Sequence, residues 1–189
     1  STTGAEQDSF IHIEAVIGSR FADALRAGDG ADTLTGGAGA DRFRFDNLAA
    51  ADVITDFAHG SDLLQFVQAG LRIGDGDAVV DGAATIASPG GHTAAAELVL
   101  TSTALSGSIT ASAVAGAIGP ATSAYSTGQT ALFVVHNATD SAVYLFTSAG
   151  NDASISTAEL TRIGWLTQQT ALTTSDFGFI RSEERRVGK

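Results

Sequence analysis

The chain has 189 residues, of which 44% are hydrophobic, enough for a packed core in one large or two small domains. Its formal net charge of -11 argues against nucleic acid as a partner, because an acidic protein repels a polyanion. The sequence has no cysteine, which excludes disulfides and thiolate metal sites. Cations are therefore the expected ligands.

The amino-terminal stretch STTGAEQDSF lacks the basic region and apolar run of a secretory signal peptide. No apolar run in the sequence reaches the length of a membrane span, so none is expected. If the protein is exported, its targeting signal is expected elsewhere in the chain.

Residues 18–44 repeat one nine-residue unit three times without a gap: GSRFADALR, AGDGADTLT and GGAGADRFR. A fixed short period is the signature of a repeat architecture. A glycine-rich turn followed by a very short strand predicts half a coil of a β-solenoid, so two units form one coil of about eighteen residues. The sixth residue of each unit is an aspartate and the eighth is a large apolar residue predicted to point inward (Asp23, Asp32 and Asp41; Leu25, Leu34 and Phe43).

The acidic residues of successive coils are predicted to stack on the same edge, with Asp23 over Asp41. Stacked carboxylates repel each other unless a cation lies between them. Eighteen residues before Asp32, Glu14 occupies the aspartate position of a degenerate unit, SFIHIEAVI, in which Val16 is the inward residue. The alternative is a glycine-rich loop with solvated aspartates.

Oxygen ligands at a flexible backbone turn favour calcium over zinc or copper, and magnesium requires a stricter octahedron. We therefore predict metal ligands among the turn carbonyls and the acidic side chains. The predicted ligand residues are Glu14, Ser19, Asp23, Gly28, Gly30, Asp32, Gly37, Gly39, Asp41, Asp52 and Asp62.

The units GGAGADRFR and AGDGADTLT resemble the calcium-binding repeats of RTX proteins, a nonapeptide family written GGxGxDxUx. The flanking segments IEAVIGS and ADVITDFAHGSDLLQF are similar to those that flank the repeats in serralysin-type and related secreted proteins. The first unit departs from the family pattern, because Ser19 and Phe21 stand where glycines are expected. Its loop should bind calcium less well or serve as an edge layer. The resemblance implies a calcium-binding β-roll over residues 1–66.

Residues 67–180 are predicted to form a second, β-rich region. Strand-like runs occur at AELVLTST, ALFVVHN and SAVYLFT, and residues 137–140 predict a hairpin between the last two. Residues 110–118 and 157–166 predict short helices, the second capped by Ser156 or Thr157. The expected fold class is all-β: a parallel β-roll capped by a mostly antiparallel β-domain with one or two short helices.

Residues 131–180 also resemble the carboxy-terminal targeting domains of proteins exported by type I secretion systems. The likeness rests on the hairpin ALFVVHNATDSAVYLF, the run ELTRIGWL and the ending LTTSDFGFI. It implies one-step export of the unfolded chain from a Gram-negative cell by a type I secretion transporter. The expected location is therefore secreted, either extracellular or on the cell surface, where calcium binding would be coupled to folding.

The last nine residues, RSEERRVGK, hold the only lysine and four of the ten basic residues. Their reverse translation resembles a sequencing-library adapter read in frame. We expect residues 181–189 to be a non-native tail and leave them out of the fold prediction. A true basic tail is the alternative.

Motifs for catalysis are missing from the sequence: neither HExxH nor GxSxG occurs, so metalloprotease and lipase chemistry is not expected. Paired carboxylates can hydrolyse glycosides, but calcium ligation or strand-end capping is favoured for Asp52, Asp56 and Asp62. The four histidines are scattered (His12, His59, His92 and His136), and His92, after two glycines, is predicted to be solvated.

Trp165 and Tyr144 are predicted to lie in the core rather than to form a sugar platform. We therefore predict a non-catalytic calcium-binding module that couples extracellular calcium to folding and carries a carboxy-terminal type I secretion signal. Two alternatives stay open. One is a self-associating structural subunit of a surface layer or extracellular fibre, and the other is an accessory module of a secreted polysaccharide-active enzyme.

Overall fold

The computed structural model describes residues 14–26 and 28–181. Predictions for His12, most of the unit SFIHIEAVI and residues 182–189 lie outside this range. The helices in the described chain are α1 (Gln68–Leu71) and α2 (Ala111–Ile118), with 3₁₀ turns at Thr157–Glu159 and Thr174–Asp176. The strands are β1 (Ala15–Ile17), β2 (Ala24–Arg26), β3 (Thr33–Thr35), β4 (Arg42–Phe45), β5 (Asp52–Ile54), β6 (Leu63–Val67), β7 (Ala84–Ile86), β8 (Leu98–Thr101), β9 (Thr130–His136), β10 (Ser141–Thr147), β11 (Leu160–Leu166) and β12 (Phe177–Ile180).

The first six strands alternate between two sheets, as the nine-residue period predicts. Odd-numbered strands β1, β3 and β5 pair in parallel in sheet A, and β2, β4 and β6 pair in parallel in sheet B. Val16 pairs with Leu34 and Leu25 pairs with Phe43, a step of eighteen residues in each case. The chain therefore coils in parallel layers, which is consistent with a β-roll.

The eighth residue of each repeat points into the space between the sheets, as predicted. Leu34 and Phe43 are fully buried, and Leu25 is 8% exposed at the first layer. Further along the coil, Phe45 stacks on Phe66, with ring centroids 5.1 Å apart. Alternation along each short strand puts its apolar side chains inward and leaves the residues next to them on the outer face.

The carboxy-terminal strands extend both sheets of the coil. β11 pairs in parallel with β5, where Trp165 lies opposite Val53, and β12 pairs in parallel with β6, where Phe179 lies opposite Phe66. The boundary predicted after residue 66 falls within β6, and strands from both sides of it share the two sheets. The division into domains stays a prediction.

The remaining strands of sheet A have mixed pairing, so the prediction of a mostly antiparallel region is too simple. β7, β8 and β9 are parallel neighbours, whereas β9, β10 and β11 are antiparallel. The predicted hairpin between β9 and β10 is confirmed. Its turn is held by the side-chain carbonyl of Asn137, which accepts the backbone N–H groups of Thr139 and Asp140 at 2.9 and 2.8 Å.

One predicted helix is confirmed and the other is wrong. α2 begins after Thr110, whose hydroxyl accepts the backbone N–H of Ala113 at 3.2 Å. The predicted helix at 157–166 is only a 3₁₀ turn with a Ser156–Glu159 capping box, and the chain then continues as β11. Pairing with β5 and β10 on both sides overrides the helical pattern, because it satisfies the backbone of the whole strand.

Sheet A separates two apolar clusters. One lies inside the coil, and the other lies between the opposite face of β8–β10 and α2, where Phe133 and Phe146 stack with centroids 5.1 Å apart. Tyr144 belongs to the second cluster, as predicted. Trp165 is only partly buried against it, with the Arg162 guanidinium 5.2 Å from the ring centroid. No helix in the described residues is long and apolar enough to cross a membrane.

His92 is not solvated as predicted but buried, with only 2% of its surface exposed. Its Nε2 lies 3.0 Å from the hydroxyl of Tyr125, and its ring packs edge-on against Phe133. Burial lowers the pKa of His92, since the charged imidazolium would be desolvated there. The two glycines before His92 predict a turn, but they do not indicate which side chains pack against the imidazole ring.

Candidate calcium site

Acidic side chains stand at the two edges of the coil, at the ends of the turns that lead into the strands. Asp23, Asp41 and Asp62 precede β2, β4 and β6 on one edge. On the other edge, Asp32 precedes β3 and Asp52 is the first residue of β5. Four of the five are at least nine-tenths buried, with exposures between 1% and 6%. The partly exposed member is Asp23, in the first layer.

Each carboxylate in the later layers accepts a backbone hydrogen bond from the acidic residue one layer before it. The Asp23 N–H donates to Asp41 Oδ1 at 2.8 Å, that of Asp41 to Asp62 Oδ1 at 2.9 Å, and that of Asp32 to Asp52 Oδ1 at 3.1 Å. The acidic residues of successive layers therefore stack, and each is hydrogen-bonded to the next through a backbone N–H and a carboxylate oxygen. The second oxygen of Asp23, Asp32 and Asp62 accepts the N–H of the residue four positions earlier, namely Ser19, Gly28 and Ala58.

Asp41 departs from this pattern. Its Oδ2 is buried and has no hydrogen-bond partner, although only 1% of the residue is exposed. The N–H groups of Gly36 and Gly37, which precede it in the same turn, donate instead to the carboxylate of Asp56 at 2.7 and 2.8 Å. A buried carboxylate oxygen without a donor is costly, and it calls for a cation or a proton.

The electrostatics of the stack point the same way. Burial raises the pKa of the Asp52 carboxyl to about 6, and the charges of Asp32 and Asp46 act in the same direction, against the hydrogen bond from the Asp32 backbone. Burial also raises the pKa of Asp41, assisted by the charges of Asp62, Asp23 and Asp56. One carboxylate on each edge of the coil, Asp41 and Asp52, is thus disfavoured in its charged form when no metal is bound.

Close approach of successive layers explains the glycines of the third unit. Gly37 and Gly39 have positive φ angles of 93° and 143°. A side chain on Gly39 would stand 2.6 Å from the backbone carbon of Phe21 in the layer before, and one on Gly37 would meet the carbonyl oxygen of Ser19. Glycine is therefore required here by both backbone conformation and space.

Comparison with protein families decides the nature of this segment. Residues 16–47 match the RTX calcium-binding nonapeptide repeat, in four copies. No curated protein and no solved structure matches the chain. The match covers the three nine-residue units and the end of the degenerate unit before them, so calcium is the metal of these RTX repeats.

The donor set fits calcium. The turns carry hard carboxylate and carbonyl oxygens, and the residue with the unpartnered oxygen, Asp41, is linked by hydrogen bonds to Asp23 and Asp62 on the same edge. No group of three His, Asp or Glu side chains converges on one point within residues 14–26 and 28–181.

The remaining predicted ligands lie in these turns with varied surroundings. The carbonyls of Glu14 and Ser19 accept the N–H groups of Thr33 and Ala38 at 2.9 and 3.1 Å, and the Glu14 side chain is exposed. The carbonyls of Gly28 and Gly39 accept the side chains of Asn47 and Ser61. Their assignment as ligands stays a prediction, as does that of Gly30.

The contacts of two acidic residues near the turns are not predicted by the sequence. For Asp56 the sequence predicts calcium ligation or strand-end capping. Its two carboxylate oxygens accept the N–H groups of Gly36 and Gly37 in the third unit. The residues involved are about twenty positions apart, a separation that the nine-residue period does not predict. Asp176 is 1% exposed, and its carboxylate lies 2.8 Å from His59 Nδ1. It ties the turn before β6 to the turn before β12, a contact that no local pattern could predict.

Proposed function

We propose that this chain is a non-catalytic calcium-binding module in which calcium drives folding of the coil, and that its carboxy-terminal strands carry a type I secretion signal. The observation that supports this best is the buried, unpartnered Oδ2 of Asp41 within a stack of carboxylates. A bound calcium ion supplies the positive charge that such a stack requires.

Coupling to folding follows from linkage. In an unfolded chain the carboxylates lie far apart and well solvated, and no site of stacked turns exists. In the folded chain Asp41 is buried beside the charges of Asp23, Asp56 and Asp62, so folding without metal is penalised. Any cation that binds only the folded state then stabilises it by mass action. Low calcium inside a cell would keep the chain open, and high calcium outside would close it.

The position of the ending SDFGFI supports a signal that acts before folding. Phe177 and Phe179 are buried against the ring of Phe66, with centroids 6.1 and 6.3 Å away. These side chains are accessible to a transporter only in the unfolded chain. RTX repeats occur in secreted bacterial proteins, which agrees with an extracellular destination. We further propose that β7–β12 act as the cap of the roll.

Export can be tested with residues 1–180 fused behind a slow-folding passenger, in a Gram-negative host carrying the cognate type I transporter. The fusion is expected in the medium, whereas a fusion lacking residues 175–180 is expected to stay in the cell. The matched control is Leu34→Asp, which disrupts the coil but keeps the ending intact, and it should still be exported. Equal secretion with and without residues 175–180 would reject the signal and favour a structural subunit of a surface layer.

A further inference from the structure

An open cavity lies where β6 and β12 end side by side. Ile180 is paired with Val67, and the residues that follow these two strands line a cavity of about 380 Å³. A space of this size can hold a small organic molecule. None of its lining residues is among the predicted calcium ligands. The lining residues are Gln68, Ala69, Arg72, Asp75, Gly76 and Arg181.

The Gln68 side chain supplies a hydrogen-bond donor that lacks an acceptor. Only 3% of the residue is exposed, and its Oε1 accepts the backbone N–H of Ile73 at 2.6 Å, which fixes the orientation of the amide. The opposite end, Nε2, is buried and has no hydrogen-bond partner in the part of the chain that the structure describes. A buried donor without an acceptor is costly, so this amide calls for an acceptor atom from a ligand in the cavity.

Arg72 has a backbone conformation that disfavours any side chain. Its φ angle is 42°, in the left-handed region, where glycine would be free of strain. The Arg72 side chain is exposed, and it makes no hydrogen bond or ion pair within residues 14–26 and 28–181. An arginine at a strained position, with no internal polar contact to explain it, indicates that its guanidinium serves the cavity.

The charges of the lining select the class of ligand. The lining contains the guanidinium groups of Arg72 and Arg181 and the carboxylate of Asp75, which leaves one net positive charge. A monoanion neutralises this charge. A dianion exceeds it and is repelled by Asp75 and by Glu97, whose carboxylate accepts the Asp75 N–H at 2.9 Å. A carboxylate has enough lone pairs to accept from a guanidinium fork and from the Gln68 amide together. We propose that this cavity binds a small organic monocarboxylate.

The test is an NMR titration of the full chain in millimolar calcium, with acetate as the probe and chloride keeping the ionic strength constant. Saturable shifts are expected for the side-chain N–H groups of Gln68 and Arg72. Sulfate, a dianion, should bind at least about fivefold more weakly than acetate, because it exceeds the charge of the lining. Acetamide has the shape of acetate without the charge, and it should produce no saturable shift.

Arg72→Gly separates binding from folding. It should weaken acetate binding about tenfold, because it removes a charge-assisted contact. Its melting temperature should be no lower than that of the wild type, because glycine relieves the positive φ. The matched control is Gln168→Gly, at the other non-glycine position with positive φ (55°), which should keep full acetate affinity. Arg181→Gln removes the second guanidinium and should also weaken binding about tenfold.

Acetate shifts that do not saturate would mean that water alone satisfies the Gln68 amide, and they would overturn the proposal. So would tighter binding of sulfate than of acetate, or equal acetate affinity in the wild type and Arg72→Gly. A loss of stability in Arg72→Gly would assign the arginine a structural role instead. The calcium proposal is distinguishable from this one, because it rests on the turns of the coil and is measured by calcium-induced folding.

Discussion

Leu34→Asp is expected to leave the chain unfolded even in saturating calcium. Leu34 is fully buried between the sheets, in the middle layer of the repeats. Truncating a buried leucine costs roughly 2–5 kcal/mol, and placing a charge in the same apolar interior adds several more. Domains of this size are stable by about 5–15 kcal/mol, so the combined loss is comparable to the whole stability of the fold. Circular dichroism in excess calcium measures it.

Two variants serve as controls for this result. Thr35→Asp places the same charge on the neighbouring outward position and should fold in calcium. Asp41→Asn keeps the shape of a ligand side chain but removes one charge from the stack. It should raise the calcium concentration needed for folding about tenfold, and it should leave the metal-free chain no less stable, because repulsion is relieved. If Leu34→Asp and Asp41→Asn behaved alike at saturating calcium, the assignment of inward and ligand positions would be wrong.

Phe179→Ala is expected to destabilise the repeats from the far end of the sequence. Phe179 lies in β12, the strand that pairs with β6. Its side chain is 5% exposed and packs edge-on against the ring of Phe66. Truncating such a side chain costs roughly 3–5 kcal/mol. Since calcium binds the folded state, the midpoint of the calcium-induced transition should shift to higher calcium.

Ile180→Ala is the matched control, because this neighbour points to the outer face and is only half-buried. It should shift the midpoint far less. A midpoint that is the same in wild type and Phe179→Ala would mean that the coil forms independently of β12, and the proposed capping role would fail.

The sequence predicted the parts of the fold that repeat. Leu25, Leu34 and Phe43 are inward and buried as their position in the nine-residue unit requires, and the step from Asp23 to Asp41 is the predicted eighteen residues. These features are local, because each unit forms one turn and one strand and pairs with the unit two positions further along the chain. A periodic pattern specifies such contacts completely.

Contacts between residues that are far apart in the chain could not be predicted from the repeat pattern. Trp165 lies opposite Val53, more than a hundred residues away, and nothing in either segment specifies that pairing. The run around Ile163 has signals for a helix, and Ser156 and Glu159 do form a capping box. The helical turn is only three residues long, however, and the chain then continues as a strand. Likewise, the burial of His92 depends on Tyr125 and Phe133, which the loop sequence around it does not reveal.

The central claim is that calcium drives folding of the coil, and one titration tests it most directly. The chain is stripped with EDTA, and far-ultraviolet circular dichroism is followed as calcium is added, with magnesium at the same ionic strength as the control. We expect a largely unfolded spectrum in EDTA and a cooperative gain of β structure in calcium, with a melting temperature that rises with calcium concentration and little response to magnesium. A spectrum and melting temperature that are identical in EDTA and in calcium would contradict the account.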